Sequence, residues 1–115
     1  MKINIGVDIE EIERFAKYVK NKKCLERVFS SEEIAYSIAR RNSLQHLAAR
    51  FAAKEAAWKA LSSKYKNGKF MITDISIKNN KVGKPYVYIK NRRCKKIDIS
   101  LSHTSKYVIA FAIVF

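Results

Sequence analysis

One alanine-rich run, Leu44 to Leu61, constrains this chain more than any other stretch, because it reads as a single long helix. At about 100° per residue, Leu44, Leu47, Ala48, Phe51 and Trp58 share one face. Glu55 falls on that same face, between Phe51 and Trp58. A carboxylate there faces the interior or a cleft, and burying it unpaired is costly. It calls for a cation, either a neighbouring side chain or a metal. Arg50, Lys54 and Lys59 flank it at helical spacing, a layout that also suits a polyanion.

The rest of the chain splits around this helix. Ile3, Ile5, Val7 and Ile9 alternate with Asn4, Gly6 and Asp8, a strand pattern. A first helix is expected from Asp8, with Ile9, Ile12, Phe15, Ala16 and Val19 at helical spacing. Ser30 and Glu33 form a capping box that opens a second helix near Ser31, and Asn42-Ser43 ends it and caps the long third one. Asn67-Gly68 is a turn signal, after which the period changes from 3.6 to 2. Ile75 and Ile77, Val87 and Ile89, then Ile97, Ile99 and Leu101 alternate with polar residues, and Val108 to Phe115 reads as a last, mostly buried strand. The expected class is α+β: an N-terminal strand, about three helices and an antiparallel β-meander packed on them, in one domain over residues 1–115.

At 115 residues the chain supports one modest core, and 48% hydrophobic content argues for a folded globule rather than disorder. Met1-Lys2 leads straight into alternating residues and acids, so no signal peptide is read. The apolar run Tyr107–Phe115 is too short for a membrane helix, which needs about 20 residues. Cys24 and Cys94 match no zinc spacing and read as reduced thiols of a cytoplasmic protein. The net charge of +14 is uneven: residues 1–33 hold seven basic and seven acidic residues, while residues 34–115 hold seventeen basic ones against Glu55, Asp74 and Asp98. Such a field favours an anionic partner, whether nucleic acid, acidic protein or phosphorylated cofactor.

Several residues carry candidate chemistry. Asp8 ends the first strand on the face opposite the isoleucines, beside Gly6. Either it caps the following helix, in a box with Glu11, or it meets Glu55 at a divalent cation. Glu55 in turn either pairs with Lys59 or Arg50 or binds that metal. Ser102-His103-Thr104-Ser105 ends an alternating strand and is either plain surface or a cup for a phosphate. Gly83-Lys84-Pro85 is a turn with a cation at its tip. Three glycines in all leave no glycine-rich phosphate loop.

Together these segments resemble the small, single-domain holo-acyl-carrier-protein synthase family of 4′-phosphopantetheinyl transferases. Four blocks match in order: Ile5-Gly6-Val7-Asp8-Ile9-Glu10-Glu11-Ile12-Glu13-Arg14, then Arg50-Phe51-Ala52-Ala53-Lys54-Glu55-Ala56-Ala57-Trp58-Lys59-Ala60, then Gly83-Lys84-Pro85-Tyr86-Val87, and Ser100-Leu101-Ser102-His103-Thr104 before the final strand. The resemblance implies transfer of 4′-phosphopantetheine from coenzyme A to a serine of an apo acyl carrier protein, with adenosine 3′,5′-bisphosphate released. It implies Mg²⁺ held by Asp8 and Glu55, and a homotrimer with sites between adjacent subunits, coenzyme A touching Asp8, His103 and Thr104 of one chain and the Glu55 helix of its neighbour, or a similar division. On this reading Asp8, Glu55 and Lys59 are catalytic. Arg50, Lys54, Lys84, Pro85, Ser102, His103 and Thr104 bind the cofactor, and Glu55 or a water on the metal takes the serine proton.

Acyl carrier proteins are acidic, so Arg14 and Lys17, with Lys20, form a basic stripe expected to dock one, and neither a nucleic acid nor a membrane is an expected partner. One departure stands out: Leu61-Ser62-Ser63-Lys64 replaces the glycines usual after the Lys59-Ala60 position, which leaves the helix free to run longer. The competing reading is a small, basic, ribosome-associated RNA-binding protein, supported by the charge and by Tyr86 and Tyr88 on one strand.

Overall fold

The first strand, β1 (Asn4–Glu11), runs three residues past Asp8, because its backbone pairs antiparallel along its whole length with β6 (Tyr107–Val114). The computed structural model describes residues 2–64 and 71–115. Asp8 therefore sits opposite Ala110 inside a ladder and is no helix cap, which corrects the expected capping box. After β1 comes a 3₁₀ turn (Ile12–Phe15), then α1 (Ala16–Val19) and α2 (Lys22–Val28), the last an element not expected from periodicity. Asn21 opens α2 by accepting a bond from the Cys24 amide at 3.3 Å.

α3 (Ser31–Ile38) carries the expected capping box between Ser30 and Glu33. α4 (Ser43–Lys64) is the long helix, and it continues through Ser62 and Ser63 as the missing glycines allow. The expected Asn67-Gly68 turn lies outside the described residues. A second 3₁₀ turn (Ile72–Asp74) leads to β2 (Ile75–Asn79), β3 (Pro85–Ile89), β4 (Arg92–Arg93) and β5 (Ile97–His103).

The architecture is α+β as expected, but the strands divide into two sheets, β1-β6-β5 and β2-β3-β4, instead of one meander. Long-range pairing of the two chain ends produces this split, and local periodicity carries no information about it. Residues directly opposite one another in antiparallel strands share a face. Gly6, Asp8 and Glu10 of β1 thus share a face with Val108, Ala110 and Ala112 of β6 and with Ile99, Leu101 and His103 of β5. This face packs on α4.

The buried side of α4 is mostly alanine: Ala48, Ala52, Ala53, Ala56, Ala57 and Ala60, with Leu47 and Leu61. Trp58, expected on the core face, is instead 38% exposed, and Glu55 and Phe51 sit half-buried at the edge. Small side chains let β1 approach closely. A Cβ placed on Gly6 would stand 2.1 Å from the Ala56 carbonyl oxygen and 2.8 Å from the Ala60 nitrogen. The isoleucines of β1 point the other way, so the strand's apolar face is turned from the helix: Ile5 is 61% and Ile9 62% exposed.

Candidate active site

Asp8 and Glu55 converge within one chain, not from neighbouring chains as expected, because β1 crosses α4 at Gly6 and the next residue on that strand face comes close enough for its charge to act on Glu55. Asp8 is largely buried, and its Oδ2 has no hydrogen-bond partner. The Lys59 ammonium, one helical turn beyond Glu55, lies 3.7 Å from Asp8 Oδ1 and donates to the Val7 carbonyl at 3.0 Å.

A third carboxylate, Glu10, joins them two residues along the strand. It is 8% exposed and bridged to Arg14 at 2.6 Å. Burial and the neighbouring Asp8 carboxylate push the Glu10 carboxyl up to about 8, with Arg14 acting against them. Glu55 is also shifted upward, first by burial and then by Asp8, against Lys59 and Arg14. Negative charge is thus crowded here beyond what Lys59 and Arg14 relieve. Glu10 was missed as a site residue because the strand was expected to end at Asp8; extending the alternation by two residues would have found it.

The donor chemistry fits a hard divalent cation: carboxylate oxygens, an orphaned and buried Asp8 Oδ2, and no thiolate or imidazole in the group. Among the described residues no three or more His, Cys, Asp or Glu side chains form a cage for a metal ion. A pair of carboxylates suits Mg²⁺, which keeps several waters or substrate phosphates.

His103 lies on the same sheet face, in the row of Glu10 and Val108. It is two strand spacings of about 4.8 Å from β1. Its Nε2 is 3.1 Å from Gln45 Nε2 and its Nδ1 is 3.3 Å from the Thr104 carbonyl. The assignment that satisfies both contacts has Nε2 accepting from the Gln45 amide and Nδ1 donating to the Thr104 carbonyl. The Thr104 hydroxyl accepts from the amides of Lys106 and Tyr107, so it shapes the β5–β6 turn. Ser102 pairs with Ile109 and points to the opposite, outer face, away from His103 and Asp8. Lys84 lies 3.9 Å from Asp98, at the far end of β5 from His103, and Pro85 opens β3 beside it. Within one chain, then, Lys84, Pro85 and Ser102 do not join Asp8 and Glu55.

Two of the expected cofactor contacts are buried in the framework. Lys54 is 1% exposed; its ammonium donates to Glu33 Oε1 at 2.8 Å and to the Val28 carbonyl at 2.7 Å. Glu33 is held further by the amides of Ser30 and Ile77. Arg50 donates to Asn79 Oδ1 and stacks 3.7 Å from the Tyr36 ring centre. Helical spacing placed both beside Glu55, but their side chains leave on the side of α4 that packs against α3 and β2. Arg14 bridges Glu10 while lying over the Phe15 and Phe51 rings, at 5.3 and 5.7 Å, and Lys17 is exposed.

The Gly6 contact makes a direct prediction. Gly6→Ala should destabilise the fold by about 1–3 kcal/mol, the usual range for overpacking, and lower activity further by moving Asp8 from Glu55. Thermal melts with activity normalised to folded protein would check this, and an unchanged melting temperature would refute the close approach.

The sequence model of the 4′-phosphopantetheinyl transferase superfamily matches residues 4–112. A holo-[acyl-carrier-protein] synthase of Thermodesulfovibrio yellowstonii is 42% identical over 96% of both chains. Among solved structures, an acyl-carrier-protein synthase from Chronobacterium ammoniagenes in complex with coenzyme A superposes with a TM-score of 0.77, at 25% identity over 99% of this chain and 97% of that one. A holo-(acyl-carrier-protein) synthase of Bacillus anthracis in complex with CoA (3′,5′-ADP) gives 0.76 at 27% identity, over 96% and 94% of the two chains.

Proposed function

This chain belongs to the 4′-phosphopantetheinyl transferase superfamily, and from that premise we propose that it moves the 4′-phosphopantetheine arm of coenzyme A onto a serine of an apo acyl carrier protein. The observation that carries the reading is the meeting of Asp8, Glu55 and Lys59 where β1 crosses α4. In the reaction the serine oxygen bonds to the β-phosphorus of coenzyme A. The bond from that phosphorus to the bridging oxygen breaks, and adenosine 3′,5′-bisphosphate leaves. Such a displacement needs alignment and charge neutralisation more than a covalent enzyme intermediate.

Asp8 and Glu55 are the residues that would hold Mg²⁺. When bound, the ion supplies Lewis-acid polarisation of the pyrophosphate. Lys59 neutralises charge on the phosphoryl oxygens and the leaving phosphate. Glu55, through a carboxylate oxygen left free by the ion, would take the proton of the serine. His103 and the turn at Thr104 orient the cofactor's phosphates. Lys54 has no part in this list, because its ammonium is held by Glu33.

The scatter of the remaining residues supports a homotrimer with shared sites. Lys84 and Pro85 lie away from Asp8 in one chain, so a neighbouring subunit is the natural source of that turn. The outer face of β1-β6-β5 presents Ile5, Val7, Ile9, Ile109 and Phe111 together to solvent, a continuous apolar patch of the kind that marks an interface. Phe111→Glu is expected to leave monomers in light scattering and to abolish transfer; trimers with full turnover would exclude this interface.

Arg14 and Lys17 are the proposed docking residues for the acidic carrier. Lys17→Glu should raise KM for the carrier at least about tenfold, the effect of reversing an interfacial charge, with little change for coenzyme A. Equal effects on both would remove the docking role. The reaction itself is tested by mass spectrometry of an apo carrier protein incubated with this protein, coenzyme A and Mg²⁺. The expected gain is about 340 Da, the mass of the transferred arm, and no gain with or without the ion would refute the proposed transfer.

A further inference from the structure

Tyr86 and Tyr88 share a built surface on β3. Pairing of β2, β3 and β4 sets Lys78 opposite Tyr86, and both Ser76 and Arg93 opposite Tyr88. These side chains occupy the face turned from the core, because Ile75, Ile77 and Val87 fill the other. A two-residue turn with positive φ at Lys90 (49°) and Asn91 (67°) folds β4 back and brings Arg93 over the sheet. The Arg93 guanidinium lies 4.0 Å from the Tyr86 ring centre, and the Lys78 ammonium 4.4 Å from that of Tyr88. Residues 75–97, this small sheet with its connecting turns, contain eight Lys and Arg and no Asp or Glu, more than half of the net charge of +14. Glu32 reaches its edge and pairs with Lys78 at 2.9 Å.

We propose that this cation-and-tyrosine face binds single-stranded RNA, apart from the pantetheinyl-transfer centre. The charge attracts phosphates whatever their sequence. Tyrosine rings and the guanidinium plane offer stacking surfaces for unpaired bases. An acidic protein would use the cations and leave the rings idle, and a duplex keeps its bases stacked on one another. The tyrosine hydroxyls add donors and acceptors for a ribose 2′-hydroxyl, which favours RNA over DNA.

Anisotropy of a labelled single-stranded RNA of about 12 nucleotides, titrated with the full-length protein, tests this. Binding should weaken linearly in log Kd against log salt, and Arg93→Ala should reduce that slope by about one. Tyr86→Leu with Tyr88→Leu should weaken RNA binding at least about tenfold, and Tyr88→Leu alone should leave transfer to the carrier unchanged. Tyr86→Phe with Tyr88→Phe should keep the binding and narrow the preference for RNA over the matching DNA. The proposal falls if the leucine variant, shown folded by circular dichroism, binds as tightly as the parent. It also falls if unmodified protein binds DNA equally well, or if the leucine variant loses affinity for the carrier protein and not for RNA.

Discussion

Glu55→Gln is expected to cut phosphopantetheinyl transfer by about two to three orders of magnitude, since removing a ligand to a Lewis-acidic cation forfeits several kcal/mol of transition-state stabilisation. The protein should stay folded, because the side chain sits half-buried at the edge of α4 and takes its upward shift from burial and from the neighbouring Asp8 charge. Removing one negative charge from the Asp8–Glu10–Glu55 group should, if anything, raise the melting temperature without added metal. Calorimetric titration gives a second reading: Mg²⁺ binding should weaken in Glu55→Gln and equally in Asp8→Asn. Unchanged turnover in Glu55→Gln would end the metal-site reading, whatever its effect on stability.

Lys54→Met carries the largest expected effect on folding. It leaves Glu33 as a charge that is 1% exposed and without its ammonium partner, a loss of about 3–5 kcal/mol in urea unfolding. Adding Glu33→Gln should recover most of that loss. A glutamine keeps an acceptor for Ser30 or Ile77 while burying no charge. The folded fraction of Lys54→Met should show an ordinary KM for coenzyme A. A KM many times higher at parental stability would return Lys54 to the cofactor site.

The two lysines of the alanine-rich helix show how far periodicity reaches. Lys54 and Lys59 both flank Glu55 at helical spacing, and nothing in their immediate sequence separates a buried framework cation from one facing Asp8. The difference comes from what packs on each side of α4: α3 and β2 around Lys54, β1 beside Lys59. Ser102 and His103 repeat the lesson on a strand. Adjacent residues alternate faces, so only one of them joins the Asp8 face, and the β5–β6 register selects His103. Glu10 was hidden by a boundary error. The first strand continues because β6 pairs with it as far as Glu11, and that partner lies about a hundred residues away along the chain.

By itself the sequence determined the long helix, the capping box at Ser30, the alternating strands, the uneven charge and the four blocks that carry the family. All of these are local in the chain, written in spacing and side-chain type. Tertiary structure alone decided that the two chain ends pair, that Gly6 lets β1 sit against Ala56, and that Asp8 and Glu55 therefore face one another while Lys54 is locked to Glu33. Those outcomes depend on which surfaces exclude each other's volume and which buried charges find partners, conditions that exist only once distant segments are in contact.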